Sequence, residues 1–329
     1  MKKILILSAI MWILAFLIPL MLIKPIREDV PELPVTPTEE SAETTDAEIK
    51  IKLLDEGKVL EIALDEYLMG VVAAEMPAVF PDEALKAQAV AARTYTMKKA
   101  SSAPAKEHNG AAVCSDSAHC KAYRPLAECA AGWNENAETY SEKIKRAVRE
   151  TDGEILLYDG EPITAVFHST SSGRTESSVD VWGGNLPYLV SVESGGDESS
   201  PHFEEEKSFP PEEFRTRFAN KYPSAVFDEN PENWITNIKR SEAGGVKSIS
   251  VGGVSVKGSE VRSIYELKSS NFTISYDNGN MKIRTRGYGH GVGMSQYGAR
   301  ALALEGKTYD EILKKYYTGV TLGRISQKK

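Results

Sequence analysis

The apolar and polar residues alternate along the chain in a way that predicts antiparallel strands from residue 48 onward. Residues 48–54 alternate in polarity, residues 55–57 supply a Gly-containing turn, and residues 59–64 resume the alternation. This pattern is typical of a β-hairpin. Three further hairpins are predicted around Gly-containing turns, at residues 155–167, 246–256 and 272–286.

Apolar residues at helical spacing predict several helices between these hairpins. The predicted helices cover residues 65–74, 81–99, 138–150, 211–221, 259–267, 295–305 and 309–316. Hairpins interspersed with helices, without a regular alternation of single strands and helices, favour the α+β class. We therefore predict antiparallel β-hairpins with helices packed to one side, in a single large exported domain.

The N-terminal segment of the 329-residue chain differs from the rest in composition. Residues 4–23 carry no charge and follow two lysines, so we predict a membrane anchor with residues 1–3 in the cytoplasm. A cleaved signal peptide is the alternative. Residues 24–47 are rich in Pro, Thr and Glu, which predicts a disordered linker that leads to a folded domain over residues 48–329. The net charge of −8 argues against nucleic acid as a partner.

Glu75 is the first candidate for chemistry, because this carboxylate lies among small apolar residues. Burial favours the neutral acid and raises the pKa of a carboxyl group. Pro77 keeps the preceding residue out of the α region, which predicts that a helix ends at Glu75. The negative end of a helix dipole would raise the pKa further. The alternative is a Glu that only forms an ion pair with Lys or Arg.

Arg93 lies in the middle of an alanine-rich helix, where close packing against another element is expected. A solvated arginine is the ordinary interpretation of such a residue. On a helix that faces the core, however, Arg93 becomes a candidate partner for a substrate or for Glu75.

Two cysteines and two histidines fall within thirteen residues: His108, Cys114, His119 and Cys120. Thiolate and imidazole are the ligands that zinc prefers, and four of them complete a tetrahedron. We predict a structural zinc ion that orders a loop over residues 101–133. A Cys114–Cys120 disulfide is the alternative, and it would leave Cys129 unpaired. A catalytic zinc and a cysteine peptidase are further alternatives.

Two segments rich in Ser and Gly each follow a predicted strand, at residues 167–176 and 287–298. Glycines let a backbone approach a ligand closely, and hydroxyl and amide groups offer neutral hydrogen bonds that suit a sugar polymer. The alternative for each is a turn with polar decoration. The substrate-binding candidates here are His168, Ser171, Gly173, His290, Ser295 and Gln296.

Four motifs together resemble a known family: residues 67–77, 84–95, 168–176 and 287–299. The chain is similar over about residues 48–323 to the family that contains stage II sporulation protein D and the amidase enhancers. One departure is visible, since the family has a glycine where this chain has Ser172.

The resemblance implies a lytic transglycosylase with Glu75 as the catalytic acid, Arg93 nearby and zinc bound between residues 108 and 120. The implied substrate is peptide-stripped peptidoglycan, cleaved at the β-1,4 bond between N-acetylmuramic acid and N-acetylglucosamine to leave 1,6-anhydro ends. The implied partners are an amidase and a multi-pass membrane protein at the septum and the engulfing membrane of sporulating cells. A non-catalytic, wall-binding enhancer of an amidase is the alternative within the same family.

Overall fold

The computed structural model describes residues 45–325. The predicted anchor at residues 4–23 and most of the predicted linker lie outside these residues and stay predictions. Within residues 45–325, no helix is both long enough and apolar enough to cross a bilayer.

The C-terminal end of the predicted linker is folded, so that part of the prediction is wrong. Asp46–Glu48 forms a turn of 3₁₀ helix, and the Asp46 side chain is fully buried. The backbone N–H of Asp46 donates to Asp152, and the N–H of Gly153 donates back to Asp46. Because the whole stretch is polar and acidic, its sequence does not indicate that Asp46 is the carboxylate that anchors it to the domain.

The helices lie close to the predicted positions, and two more were not predicted, one within the Cys/His-rich loop and one directly after the first Ser/Gly-rich segment. They are α1 (Leu64–Glu75), α2 (Asp82–Ala100), α3 (Leu126–Ala131), α4 (Ala137–Arg149), α5 (Ser178–Trp182), α6 (Pro211–Lys221), α7 (Gly258–Ile264), α8 (Gln296–Leu304) and α9 (Tyr309–Tyr316). The alanine-rich α2 packs against α1, α4, α8 and α9. Its small side chains allow this close approach from several sides, and α2 therefore forms the centre of the helical layer.

Within residues 45–325, the strands form five small sheets. They are β1 (Lys50–Asp55), β2 (Lys58–Ala63), β3 (Val113–Cys114), β4 (Glu154–Tyr158), β5 (Glu161–Pro162), β6 (Phe167–His168), β7 (Glu204–Phe209), β8 (Ile235–Arg240), β9 (Val246–Val251), β10 (Val254–Lys257), β11 (Phe272–Asp277), β12 (Asn280–Arg286), β13 (Met294–Ser295) and β14 (Thr321–Arg324). Most pairings are antiparallel, and only β1–β3 and β6–β13 are parallel. The α+β class is confirmed.

Three predicted hairpins form across the expected turns: β1–β2, β9–β10 and β11–β12. The fourth is shorter than predicted, because β5 ends at Pro162 and the other edge of β4 pairs with β14 instead. Strand β7 was not predicted, since four of its six residues are charged. It pairs with β12, where Glu204 and Glu206 form ion pairs with Arg286 and Arg284.

The apolar interior of the described residues falls into two clusters. The first packs α1, α2, α4 and α9 against β1 and β4. The second lies within residues 209–283 and is rich in aromatic rings, with Phe214 stacked on Tyr265 at a centroid distance of 4.5 Å. The Gly-rich stretch after β12 leads from the second cluster back to the first, where Val292 and Met294 are buried.

Arg93 is fully buried in the first cluster, away from Glu75. Its guanidinium forms an ion pair with Asp46 at 2.6 Å, and both side chains have zero exposure. Further hydrogen bonds run to Thr151 and to the carbonyl oxygens of Val148 and Glu154. The expectation that Arg93 faces Glu75 or a substrate is therefore corrected: every part of the guanidinium is engaged in tying residues 46 and 148–154 to α2.

We expect Arg93→Met to lower the free energy of unfolding by about 3–5 kcal/mol, because it leaves the Asp46 carboxylate buried without its counter-ion. Urea unfolding monitored by circular dichroism measures this change. Arg149→Met is the matched control, since that arginine is exposed and lies 3.5 Å from an exposed Glu142. An exposed pair of this kind contributes about 1 kcal/mol at most. Equal losses in both variants would contradict a special role for the buried pair.

Candidate functional site

The site is built around the last residue of α1. Helix α1 ends at Glu75 because Met76, which precedes Pro77, is extended with φ −125° and ψ 133°. The helix end was predicted from the sequence. The Glu75 Oε1 atom accepts a hydrogen bond of 2.8 Å from the backbone N–H of Ala122, which lies 47 residues further along the chain.

Burial raises the pKa of the Glu75 carboxyl group above its usual range. Three groups act in the opposite direction: the Lys121 ammonium, the N–H of Ala122 and, to a smaller extent, the side-chain amide of Gln296. Burial is the largest influence, so the pKa stays raised. The Glu75 carboxyl group can therefore remain protonated at a higher pH than an ordinary glutamate. The Lys121 ammonium and the N–H of Ala122 can stabilise the carboxylate once the proton has left.

Lys121 is the residue of this site that sequence analysis missed. Its side chain is only 5% exposed, and its Nζ atom lies 3.6 Å from the ring centroid of Phe167 and 4.6 Å from that of Tyr95. Burial lowers the pKa of Lys121 to about 8, and the charge of Glu75 partly offsets this. The Lys121 ammonium is thus stabilised by the two aromatic rings and by the charge of Glu75. Among the described residues, it forms no direct salt bridge. Nothing in the local sequence distinguishes this lysine from a surface lysine.

Gln296, a predicted substrate residue, lies beside Glu75. It is 4% exposed, and its Nε2 atom has no hydrogen-bond partner of good geometry among residues 45–325. The amide thus approaches the carboxylate without completing a hydrogen bond. An unsatisfied buried donor next to a candidate acid is a group that a polar ligand could satisfy.

His168 and His290 lie together, with ring centroids 5.7 Å apart. His168 Nδ1 donates to the carbonyl oxygen of Val292 at 3.2 Å, so its Nε2 carries no proton and is left as a buried acceptor without a partner among the described groups. Burial lowers the pKa of His168 to about 4 and that of His290 well below its usual value. Both rings are therefore neutral near pH 7 and suit hydrogen bonding to a neutral ligand.

Ser171 and Ser295 do not face open space. Both are buried, and both donate side-chain hydrogen bonds to the fully buried carboxylate of Asp197, which also accepts from Ser194. The expectation that these two hydroxyls contact substrate is corrected, since Asp197 already engages them. Sequence analysis missed Asp197 because its neighbours in sequence are acidic and polar.

The backbone conformation explains why residue 173 is a glycine. Its φ of +101° lies in the region that favours glycine, while a Cβ atom there would meet no other group within 4 Å. At Gly289, by contrast, a Cβ atom would lie 2.7 Å from the Cβ of His168. The Gly-rich segment therefore packs directly on the His168 backbone, and Gly289 permits this approach.

The four predicted metal ligands converge as expected from their residue types. The ligand atoms of His108, Cys114, His119 and Cys120 all lie within 4.8 Å of one another. His119 Nδ1 is 2.8 Å from His108 Nε2 and 3.5 Å from Cys114 Sγ. All three cysteines of the described chain are free, so no disulfide joins Cys114 to Cys120.

The backbone turns sharply enough for adjacent residues to reach one centre. The N–H groups of His119 and Cys120 both donate to the carbonyl oxygen of Asp116. The outer nitrogen of His119, Nε2, lies 3.2 Å from the Glu107 carboxylate, which is the arrangement that commonly orients a metal-bound imidazole. The four side chains therefore fit a tetrahedral site for a metal ion with N and S ligands.

The ligand cluster and Glu75 are linked by three consecutive residues. Cys120 belongs to the cluster, Lys121 lies beside Glu75, and Ala122 donates to the Glu75 carboxylate. Fixing Cys120 therefore fixes both groups that stabilise the ionised form of Glu75. The position of the cluster is thus coupled to the arrangement around Glu75.

Comparison with known proteins shows the family to which the chain belongs. A family model described as "Stage II sporulation protein" matches residues 55–158, which include Glu75, Lys121 and all four ligands of the cluster. Stage II sporulation protein D of Bacillus subtilis (strain 168) is 35% identical over 98% of this chain and 96% of its own length. The chain belongs to the stage II sporulation protein D family.

Two further relatives show the range of this family. Stage II sporulation protein D of Bacillus amyloliquefaciens is 36% identical over 80% of this chain and 75% of its own length. An amidase enhancer of Bacillus subtilis (strain 168) is 31% identical over 78% of this chain and 40% of its own length. The resemblance drawn from the sequence motifs is thus confirmed at the level of the family.

Proposed function

We propose that the chain is a lytic transglycosylase of the cell wall that acts during sporulation on peptide-stripped peptidoglycan. The observation that carries this proposal is the half-buried carboxyl group of Glu75, which has a raised pKa and a buried cation beside it. Most glycosidases that use water need two carboxylates at the scissile bond. Among the described residues, no second carboxylate acts on the pKa of Glu75. A reaction that uses one residue as acid and then base fits this arrangement.

In the first step, protonated Glu75 donates its proton to the oxygen between N-acetylmuramic acid and N-acetylglucosamine. The bond from C1 to that oxygen breaks, and the electron pair leaves with the N-acetylglucosamine. The positive charge that develops at C1 is shared with the oxygen of the substrate's own acetamido group. In the second step, the Glu75 carboxylate takes the proton of the muramic C6 hydroxyl as that oxygen attacks C1. The products are a 1,6-anhydro end and a regenerated acid.

Lys121 takes the role that sequence analysis gave to Arg93. Its ammonium stabilises the Glu75 carboxylate between the two steps, together with the N–H of Ala122. The bare Nε2 of His168 and the free amide of Gln296 would bind hydroxyl or acetamido groups of the glycan. These contacts orient the sugar and exclude water from the anomeric carbon.

We expect Lys121→Met to shift the pH profile of the reaction. The acid must be protonated, so kcat/KM falls as pH rises through the pKa of Glu75. Because the Lys121 ammonium lowers this pKa, its removal should move the descending limb to higher pH and reduce kcat by about 10-fold or more, through loss of the charge that stabilises the carboxylate. Lys99→Met, on α2, is the control and should leave the limb in place. A limb that moves to lower pH in Lys121→Met would contradict the assignment.

We propose that His108, Cys114, His119 and Cys120 hold a structural zinc ion. When bound, the ion would supply a cross-link that orders the loop, and the reaction itself would be carried by Glu75. The donor set supports this role, since four protein ligands leave no open position for a substrate or a water molecule.

A second candidate function is a non-catalytic module that binds the wall and activates an amidase. The amidase enhancer relative favours it, because that protein is 31% identical over 78% of this chain. The deciding experiment incubates the purified chain alone with peptide-free glycan and identifies the products by mass spectrometry. A transglycosylase releases 1,6-anhydro ends without any partner, whereas an enhancer releases none until an amidase is added.

The remaining expectations belong to the same proposal. The chain would be held at the septum between mother cell and forespore, and at the engulfing membrane, by the segment at residues 4–23. It would work there with an amidase that removes stem peptides and with a multi-pass membrane protein. The family membership and the amidase enhancer relative support a wall-related role of this kind.

A further inference from the structure

The segment that carries both partners of Glu75 contacts helix α1 at a second place. The N–H of Ala122 donates to Glu75 at the C-terminal end of the helix, and the carbonyl oxygen of Arg124 packs against Gly70, which lies five residues earlier on α1. Five helical residues rise about 7.5 Å, and two extended residues span about 7 Å. Residues 122–124 therefore run alongside α1, from its C-terminal end toward its N-terminal end.

Gly70 permits this close approach. The residue is buried in the middle of α1, and a Cβ atom there would lie 2.5 Å from the carbonyl oxygen of Arg124 and 2.5 Å from an atom of the Tyr123 ring. Non-bonded carbon atoms are about 3.5–4.0 Å apart at their optimum, so any side chain at this position would push the segment away from the helix. Glycine in a helix interior costs about 1 kcal/mol relative to alanine, and the close packing gives a reason for that cost.

The ring of Tyr123 forms the other side of this contact. It stacks on the ring of Tyr67, with the centroids 5.4 Å apart and the planes inclined by 20°. Both side chains are buried. Tyr67 and Gly70 lie one helical turn apart on α1, so the Tyr123 ring covers a single stripe of the helix. A stacked aromatic pair contributes about 0.5–1.5 kcal/mol beyond the burial of its area, which is enough to fix the register of the segment.

This contact lies outside the metal-ligand cluster. Cys120 holds the segment at one end through the cluster, and residues 123–124 hold it at the other end through α1. Lys121 and Ala122 lie between the two attachments. These are the two groups that act most strongly against the effect of burial on Glu75. Their positions are therefore set from both sides, and only one side depends on the ligand cluster.

We propose that Gly70 and Tyr123 are positioning residues for Glu75, because their contact places Lys121 and Ala122 independently of the metal-ligand cluster. The consequence for turnover rests on the proposed function, whereas the consequence for the Glu75 carboxyl group does not. If the segment moves away from α1, the ammonium and the N–H that lower the pKa of Glu75 move with it, and this pKa rises. The carboxylate formed in the first step of the reaction loses stabilisation for the same reason.

The test replaces Gly70 by alanine and uses two readouts. The pKa of Glu75 is measured without substrate by NMR of protein labelled with carbon-13 glutamate, where the signal is identified by its absence from Glu75→Gln. Turnover is measured with peptide-free glycan. We expect Gly70→Ala to raise the pKa of Glu75 and to lower kcat by about 10-fold to 100-fold, as for a misplaced catalytic arrangement, with KM and zinc content unchanged. Gly184→Ala is the matched control, since a Cβ atom at this exposed position would meet no group within 4 Å. It should leave both readouts unchanged.

Two variants of Tyr123 decide the matter if Gly70→Ala does not fold, as judged by circular dichroism. Tyr123→Leu loses the stacked ring and should reproduce both effects, whereas Tyr123→Phe keeps the ring and should behave like the unmodified chain. Equal behaviour of these two variants would overturn the proposal. A folded Gly70→Ala protein in which the pKa of Glu75 stays or falls would also overturn it, as would a loss of zinc, which would place the effect in the cluster. If the pKa of Glu75 rises as expected but the unmodified chain releases no anhydro ends, the proposed function fails and the positioning role stands.

Discussion

Glu75→Gln is expected to lower the release of 1,6-anhydro products by about 10³-fold or more, because it removes the only proton donor of the mechanism. The amide is isosteric, and its oxygen can still accept the hydrogen bond from the N–H of Ala122. Folding and glycan binding should therefore be preserved. Product release is measured by liquid chromatography and mass spectrometry with peptide-free glycan as substrate, and binding is measured separately by calorimetry.

The matched control for this variant is Glu66→Gln. Glu66 lies on the same helix, α1, but it is exposed. Its replacement should leave turnover within about 2-fold of the unmodified chain, as expected of a surface substitution. Wild-type turnover by Glu75→Gln would show that another group supplies the proton, and the role of Glu75 would then have to be abandoned.

Cys120→Ser is expected to have the largest effect on stability, with a loss of about 5 kcal/mol or more in the free energy of unfolding if the cluster holds zinc. The physical reason is that the ion would cross-link residues 108–120, and a three-ligand site binds the ion less firmly. The same change should free Lys121 and Ala122 from Glu75, because both follow Cys120 directly. Thermal unfolding and the zinc content of the purified protein measure the two effects.

Cys129→Ser provides the matched control, since this third cysteine lies on α3 outside the ligand cluster. It should leave both the zinc content and the melting temperature close to those of the unmodified chain. Chelation of the unmodified chain should reproduce the instability of Cys120→Ser. A Cys120→Ser protein that melts normally and contains no less zinc than the control would contradict the structural role.

The features of the site that could be predicted are those determined by residues close together in the sequence. Pro77 fixes the end of α1 at Glu75, and the residue types at positions 108, 114, 119 and 120 are sufficient to indicate a common centre. The β1–β2 and β11–β12 hairpins follow from alternation and turn residues. In each case the signal lies within a few residues of the feature that it predicts.

The features that escaped prediction depend on contacts between distant segments. Lys121 reaches Glu75 only because the loop closes on itself, and Asp46 reaches Arg93 from a stretch whose composition is typical of a linker. Ser171 and Ser295 are suitable for sugar binding by residue type, but the buried Asp197 engages both of them. A carboxylate that organises its neighbours and one that performs chemistry look alike in sequence, and only burial and partners separate them.

The central claim is that the Glu75 carboxylate activates a sugar hydroxyl and no water molecule. The most direct measurement incubates the purified chain with peptide-free glycan in water enriched in heavy oxygen, and then determines the mass of the newly formed ends. We predict ends that lack one molecule of water relative to a reducing sugar and that contain no heavy oxygen. Reducing ends that carry the label would show hydrolysis and contradict the mechanism proposed for Glu75.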